Sequence, residues 1–397
     1  MRPLAPPVLY RALLLPLQRF LRAEAASGVV LFVAATVALL LANSGFAPLY
    51  FRALHAAVGP VSLHAFVNEG LMTLFFLVVG LEIKHELVEG ALSSLRSALL
   101  PAIAAVGGML APAAVYTGLT RGGPAEAGWA IPMATDIAFA VGCVALLGKR
   151  VPAPLVVFLT ALAIFDDIGG IAVIALFYGA GIDPLWLGVA AAVAACIWLL
   201  ARRGTGGLVP LLAGAPLLWF AFHHAGVHAT LSGVLLGLLV PARSVGGRPA
   251  PLFALLEPLH RPVAFGVVPL FALANSGVVL QGLSFASLLR PAALGIILGL
   301  FAGKQLGIFA ATLLAVRAGV APLPGGAARL QLYGVSMVAG VGFTVALFIA
   351  DLAFGGQPAL LADAKLGILA GSLLSGVSGT LLLRAASPAP GDAAPAT

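Results

Sequence analysis

Apolar residues run through this chain in long blocks separated by short polar stretches, and within a block no face of a helix would be polar. A helix needs about 20 such residues to cross the hydrocarbon of a bilayer. The blocks predict twelve crossing helices, near residues 27–44, 65–84, 97–118, 127–147, 153–178, 184–201, 207–223, 226–240, 252–279, 291–316, 330–350 and 361–384. The seventh and eighth are divided only by His223, His224 and Gly226. The longest connection is 45–64, where Gly59-Pro60 between Val58, Val61 and Leu63 allows a short hairpin and an irregular loop fits as well.

Composition fixes the solvent. Of the 397 residues 61% are hydrophobic and 9% charged, against roughly 25% charged in a soluble domain. The fold class is therefore an all-α integral membrane protein with about twelve transmembrane helices. Cys143 and Cys196 lie inside apolar runs, where packing is their use, and two such residues are no disulfide framework. The net charge of +7 is spread over short loops, which speaks against a nucleic-acid partner. Counted on alternate sides of the predicted helices, 16 of the 21 Lys and Arg fall on the side of the N-terminus, 4 on the other, and Lys304 inside a span. The bias places both termini in the cytoplasm of a bacterial-type inner membrane. Residues 1–26, with Arg2, Arg11, Arg19 and Arg22 among leucines, are expected to form an amphipathic segment at the membrane surface. Pro16 and Gln18 interrupt what would otherwise be a signal-peptide core. The transmembrane domain is then 27–386, and the Pro/Ala-rich residues 387–397 are expected to be a disordered tail.

Most of the 14 acidic residues sit at span ends or in loops, Asp351 and Asp363 among them. Asp136, Asp166, Asp167 and the basic Lys304 are in mid-span. Each costs about 2.5–3.5 kcal/mol to place at a bilayer centre, so the four must face one another or water inside the bundle. An ion pair between Asp166 and Lys304 that only fixes packing is one reading. It leaves carboxylates over, because one lysine cannot neutralise three. Adjacent Asp166 and Asp167 point about 100° apart on a helix, so one can face the lysine and the other a cavity. Carboxylate oxygens, the Thr135 hydroxyl and freed carbonyls suit a small hard cation such as Na⁺, and a proton competes for the same oxygens. Such competition makes an exchanger. No resident cofactor is called for.

Helix breakers fall in two spans, Pro132 beside Thr135-Asp136 and Gly340 with Gly342 in Ala339-Gly340-Val341-Gly342-Phe343-Thr344. Glycines that let helices pack closely are one reading of the second set. Taken together, one break in each half of the chain is the pattern of inverted repeats whose broken helices cross at a mid-membrane site. Asp136 and Lys304 are suited to balance the half-helix ends there.

At these residues the chain resembles the NhaA family of sodium/proton antiporters. The matching segments include Asn68-Glu69-Gly70-Leu71-Met72, Val79-Gly80-Leu81-Glu82-Ile83-Lys84, Ala134-Thr135-Asp136-Ile137-Ala138-Phe139-Ala140, Leu162-Ala163-Ile164-Phe165-Asp166-Asp167, Gly226-Val227-His228-Ala229-Thr230-Leu231, Pro269-Leu270-Phe271-Ala272-Leu273-Ala274-Asn275, Gly303-Lys304 and Gly340-Val341-Gly342-Phe343-Thr344. The resemblance implies Asp167 as the main Na⁺ ligand, helped by Asp136 and Thr135, with Asp166 pairing with Lys304 and parting from it during exchange. It implies export of Na⁺ or Li⁺ against an excess of entering H⁺, hence electrogenic, pH-regulated transport. Glu82, Glu86, Glu257 and His260 map near a cytoplasmic cluster tied in the family to pH activation, and His228 to a pH-related role on the outer side. A homodimer contact is implied for the segment 45–64. The chain departs from the family pattern at His85, where arginine is frequent, at Glu69 in place of aspartate, and in the spacing of Glu257 from His260.

Other readings differ in what they require. A sodium-coupled solute symporter needs a roomy polar cavity. An intramembrane aspartyl protease needs Tyr-Asp and Gly-x-Gly-Asp, where this chain has Thr135-Asp136 and Phe165-Asp166-Asp167. A wide passive channel is poorly served by a lysine among three acids.

Overall fold

A bilayer offers backbone groups no water to bond, so a chain this apolar closes its hydrogen bonds within helices. The computed structural model describes residues 15–387 except 91, 180, 204–207, 244–249 and 283–284. In chain order the helices are α1 (Leu15–Ala42), α2 (Ala47–His55), α3 (Leu63–Ala65), α4 (Met72–Val88), α5 (Leu95–Thr120), α6 (Ile137–Ala145), α7 (Ala153–Phe177), α8 (Pro184–Arg202) and α9 (Val209–His224). They continue with α10 (Leu231–Leu239), α11 (Pro251–Pro262), α12 (Val268–Asn275), α13 (Pro291–Leu298), α14 (Lys304–Arg317), α15 (Arg329–Val338), α16 (Phe343–Phe354) and α17 (Pro358–Ala386). Single π-helical turns, Phe66–Leu71, Val263–Val267 and Gly299–Gly303, join α3 to α4, α11 to α12 and α13 to α14 into continuous rods.

Every one of the twelve segments expected to cross the membrane is occupied by helix. Eight helices of the described residues are long and apolar enough to span by themselves, and α15 with α16, bent by 45°, makes a ninth. The other three are α9 at 16 residues, α10 at 9, and the α11–α12 rod, whose first half carries Glu257, His260 and Arg261. The division between α9 and α10 is a turn in which Gly226 has φ +75°. In the 45–64 connection the hairpin is present, as β1 (Ala57–Val58) antiparallel to β2 (Val61–Ser62), turned at Gly59 with φ +64°. The amphipathic segment expected over 1–26 lies outside the described residues as far as residue 14. From Leu15 on, its backbone is the unbroken start of α1, a helix about 42 Å long and so longer than the hydrocarbon is thick. The expected tail, 387–397, lies outside the described residues but for Ser387, whose hydroxyl receives Gln331 Nε2 at 3.1 Å.

The core is a pair of matching triads. Long α5, a broken segment over 126–145 and long α7 form the first; the α13–α14 rod, the broken α15–α16 and long α17 form the second. Six of the twelve expected crossings lie between their starting helices, so the two triads run in opposite senses through the membrane. Small residues seat them against each other. Gly299, Gly303 and Gly307, spaced by four along the α13–α14 rod, lie against Pro132, Pro112 and Gly107, where an added Cβ would stand 2.6, 2.7 and 2.2 Å from the nearest atom.

Candidate functional site

The two breaks meet. Residues 131–133 form a 3-10 turn, Ala134 is extended with ψ 147°, and α6 begins only after Asp136. On the other chain segment α15 ends at Val338 and α16 starts after Gly342. Asp136 N–H donates to Val341 C=O at 2.7 Å, tying one break to the other. Gly340 and Gly342 do not use left-handed φ. They are glycine because of proximity: a Cβ on Gly340 would lie 2.4 Å from Leu300 O, and one on Gly342 2.9 Å from Ala134 O. The breaking and the close-packing readings of these glycines thus describe one feature. Gly340→Ala is expected to lower thermal stability by about 1–3 kcal/mol. Gly356→Ala, with open space around it, should melt as the wild type does, and equal melting of the two variants would refute the steric assignment.

Each mid-span charge has a distinct surrounding. Asp136 caps α6, accepting Phe139 N–H on Oδ1 at 3.0 Å, and its Oδ2 accepts both the N–H (3.1 Å) and the hydroxyl (2.6 Å) of Thr344 at the start of α16. One carboxylate therefore faces two positive half-helix ends. Asp166, on α7, and Lys304, at the start of α14, have no exposed side-chain surface. Lys304 Nζ lies 2.8 Å from Asp166 Oδ2 and also donates to Met133 C=O at the end of the 3-10 turn. The Thr135 hydroxyl is 2.6 Å from the same Oδ2 and 2.8 Å from Ala339 C=O, one proton between two acceptors. Asp166 Oδ1 is buried without a hydrogen-bond partner among the described residues.

Asp167 is different. No hydrogen bond or ion pair holds it among the described residues, and it lies at the inner end of a cavity of about 690 Å³ that Thr135, Asp136 and Thr344 also line. Among the described residues no three acid, His or Cys side chains are gathered as a ready metal cage. The three aspartates are close but separately engaged, with Asp167 the uncommitted one.

The cavity runs along Ile164 and Thr160 of α7 and Val79 and Glu82 of α4, to a mouth with His85, Glu86, Glu257, His260 and Arg261. The structure thus brings four of the five sequence-selected pH candidates together. Glu82 Oε1 and His260 Nδ1 are 3.0 Å apart and about a third exposed. His228 stands apart, with Nδ1 2.8 Å from the Thr230 hydroxyl and its ring edge-on to Phe348. Sequence reasoning quoted Thr344 only within a motif and missed its hold on Asp136. It passed over the π turn that delivers Lys304, whose one visible signal was the pair Gly299 and Gly303.

A family model described as Na⁺/H⁺ antiporter 1 matches residues 18–383. A protein named Na(+)/H(+) antiporter NhaA 1, from Myxococcus xanthus (strain DK1622), is 52% identical over 96% of each chain. One named Na(+)/H(+) antiporter NhaA, from Anaeromyxobacter sp. (strain Fw109-5), is 49% identical over 96% of this chain and 95% of its own. Another of that name, from Brucella ovis, is 47% identical over 94% and 95%.

Proposed function

Since the chain belongs to the NhaA family of Na⁺/H⁺ antiporters, we propose that it exports Na⁺ or Li⁺ in exchange for protons, the two competing for the carboxylate of Asp167. The observation that carries this is the contrast between two adjacent acids: Asp166 is committed to Lys304 and Thr135, while Asp167 faces the cavity with no hydrogen bond or ion pair among the described residues.

The excess of Lys and Arg on one side supports a cytoplasmic mouth for the cavity. An uncompensated carboxylate at this depth is costly, so Asp167 takes either a proton or a cation. When Na⁺ displaces the proton, Thr135 and Asp136 are at hand in the cavity wall to supply oxygen ligands. Asp166 becomes one more when Lys304 lets it go, which leaves the lysine free to lose its own proton. A cycle that admits more protons than it exports sodium ions carries net charge inward, and an inside-negative potential drives it at about 2.3 kcal/mol per charge per 100 mV. A symporter for an organic solute is not favoured, because at the polar end of the cavity Thr135, Asp136 and Thr344 are fixed by hydrogen bonds and Asp167 is the open carboxylate, a donor set for one small ion.

The test uses proteoliposomes with a pH-sensitive dye inside and Na⁺, Li⁺ or K⁺ added outside. Na⁺ and Li⁺ are expected to make the interior alkaline and K⁺ to leave it unchanged; no proton movement with any of the three would end the proposal. The Glu82–His260 contact at the mouth is the proposed pH-responsive element, together with Glu86 and Glu257. Glu82→Gln is expected to move the midpoint of the rate-against-pH curve, and an unmoved midpoint would remove this contact from regulation.

A further inference from the structure

The face of α16 that carries Thr344 continues, one and two turns on, with Phe348 and Asp351. Phe348 is buried against Phe76 and Phe271, with ring centroids 5.2 and 6.4 Å away. Beyond it, Asn68 Nδ2 donates to Asp351 Oδ2 at 3.0 Å. Asn68 and Asn275, both buried, are joined carboxamide to carboxamide: Asn275 Nδ2 donates to Asn68 Oδ1 at 2.8 Å, and Asn68 Nδ2 to Asn275 Oδ1 at 3.3 Å. His64 Nε2 lies 3.2 Å from that same Asn275 oxygen. From sequence Asp351 is an ordinary span-end acid; in the fold it belongs to this inward-facing set.

This face starts in the cavity wall at Thr344, and its Phe348 packs on Phe76, which lines the gap beyond Asp167. The cavity follows Thr160, Ile164 and Asp167 along α7, and on the far side of Asp167 a gap of about 10 Å³ continues along Ile171 and Ile174, closed by Phe76 and Val345. That is room for one water at most. Two carboxamides and a carboxylate are costly in such surroundings, and the exchange at Asp167 does not use them.

Resting on the exchange reading above, we propose that Asp351, Asn68 and Asn275 form an outer station of the pathway, a second oxygen site for a small monovalent cation that has left Asp167, shut off from it here by Phe348. A carboxylate and two carboxamide oxygens are a hard donor set suited to Na⁺. The groups that face Asp351 electrostatically are Lys365 of α17, His64 of α3 and His228 before α10. None of them is within ion-pair distance of it among the described residues. Positive charge on any of them weakens the hold on a cation. An exit station requires just that, since an ion must be able to leave it.

The test is sidedness. Membrane vesicles of both orientations are made with the full chain carrying Asp351→Asn, which keeps the shape and removes the charge. The KM for Na⁺ offered at the outer face is expected to rise about tenfold, with the cytoplasmic-face KM and the melting temperature unchanged. Asp351→Glu, which keeps the carboxylate, should bring the outer KM back towards wild type. Equal changes at both faces, as a merely structural role would give, or a change at neither, overturns the proposal. Should Asp351→Asn fail to reach the membrane, Asn68→Ser, which removes one oxygen donor and no charge, should raise the outer KM alone; an unchanged outer KM there overturns the proposal equally. Persistent exchange by Asp167→Asn in the same vesicles would instead sink the inner-site reading, leaving the sidedness of Asp351→Asn to speak for the outer station by itself.

Discussion

Vesicles carrying Asp167→Asn are expected to show no sodium-driven proton movement, although the protein inserts and purifies normally. The side chain has no hydrogen bond or ion pair for the substitution to break among the described residues, so folding loses little. Function loses the charge on which exchange rests. A unit charge about 4 Å from a cation contributes about 4 kcal/mol at an effective dielectric constant of 20. That corresponds to roughly a thousandfold in Na⁺ affinity. The carboxamide also cannot take up and release the proton. Neighbouring Asp136 can still lend an oxygen to the ion but does not replace the lost charge, because its carboxylate is held at the starts of α6 and α16 by Phe139 and Thr344. Dye-loaded vesicles check the outcome, and wild-type exchange in the variant would remove Asp167 as the shared ligand.

Lys304→Ala should be the most destabilising of the site substitutions. The lysine neutralises Asp166 and at the same time satisfies Met133 C=O at the end of a broken segment. Its loss strands a wholly buried carboxylate that keeps only the Thr135 hydroxyl, and breaking a buried pair from one side costs about 3–5 kcal/mol. Melting of the purified protein should therefore fall by at least about 5 °C. The stranded Asp166 must then take a proton to remain buried, so the pH profile of any residual exchange should change as well. The double variant Asp166→Asn with Lys304→Met, which removes both charges, should recover much of the lost stability, as replaced buried pairs do. Unchanged melting together with an unchanged pH profile in Lys304→Ala would remove the lysine as partner to Asp166.

What could be read from sequence follows from how severely the bilayer penalises exceptions. Asp136, Asp166, Asp167 and Lys304 stand out because a charge in mid-span is rare, and Pro132, Gly340 and Gly342 because helix breakers there are too. The structure puts all seven at one crossing. Their pairing was not legible. Thr344 reaches Asp136 across 208 residues of chain and Thr135 reaches Asp166 across 31, contacts set by how two broken helices cross and not by any local pattern. The π turns were hidden for another reason: they need no special residues, so 66–71 and 263–267 read as ordinary helix. Asp351 was legible as a charge but not as half-buried and hydrogen-bonded, since its partner Asn68, itself joined to Asn275, lies 283 residues away in the sequence. Conversely, the Gly59-Pro60 hairpin formed where the local turn signal alone left two outcomes open.

The most direct measurement is of protons released when Na⁺ binds to the purified protein in weakly buffered solution, with apparent affinity followed from about pH 6 to about pH 9. Competition at Asp167 predicts proton release on binding by the wild type and none from Asp167→Asn. It also predicts an apparent Na⁺ dissociation constant that rises about tenfold for each unit of pH lowered in the acidic range. Na⁺ binding with no proton released, at an affinity flat across that range, would contradict a shared carboxylate.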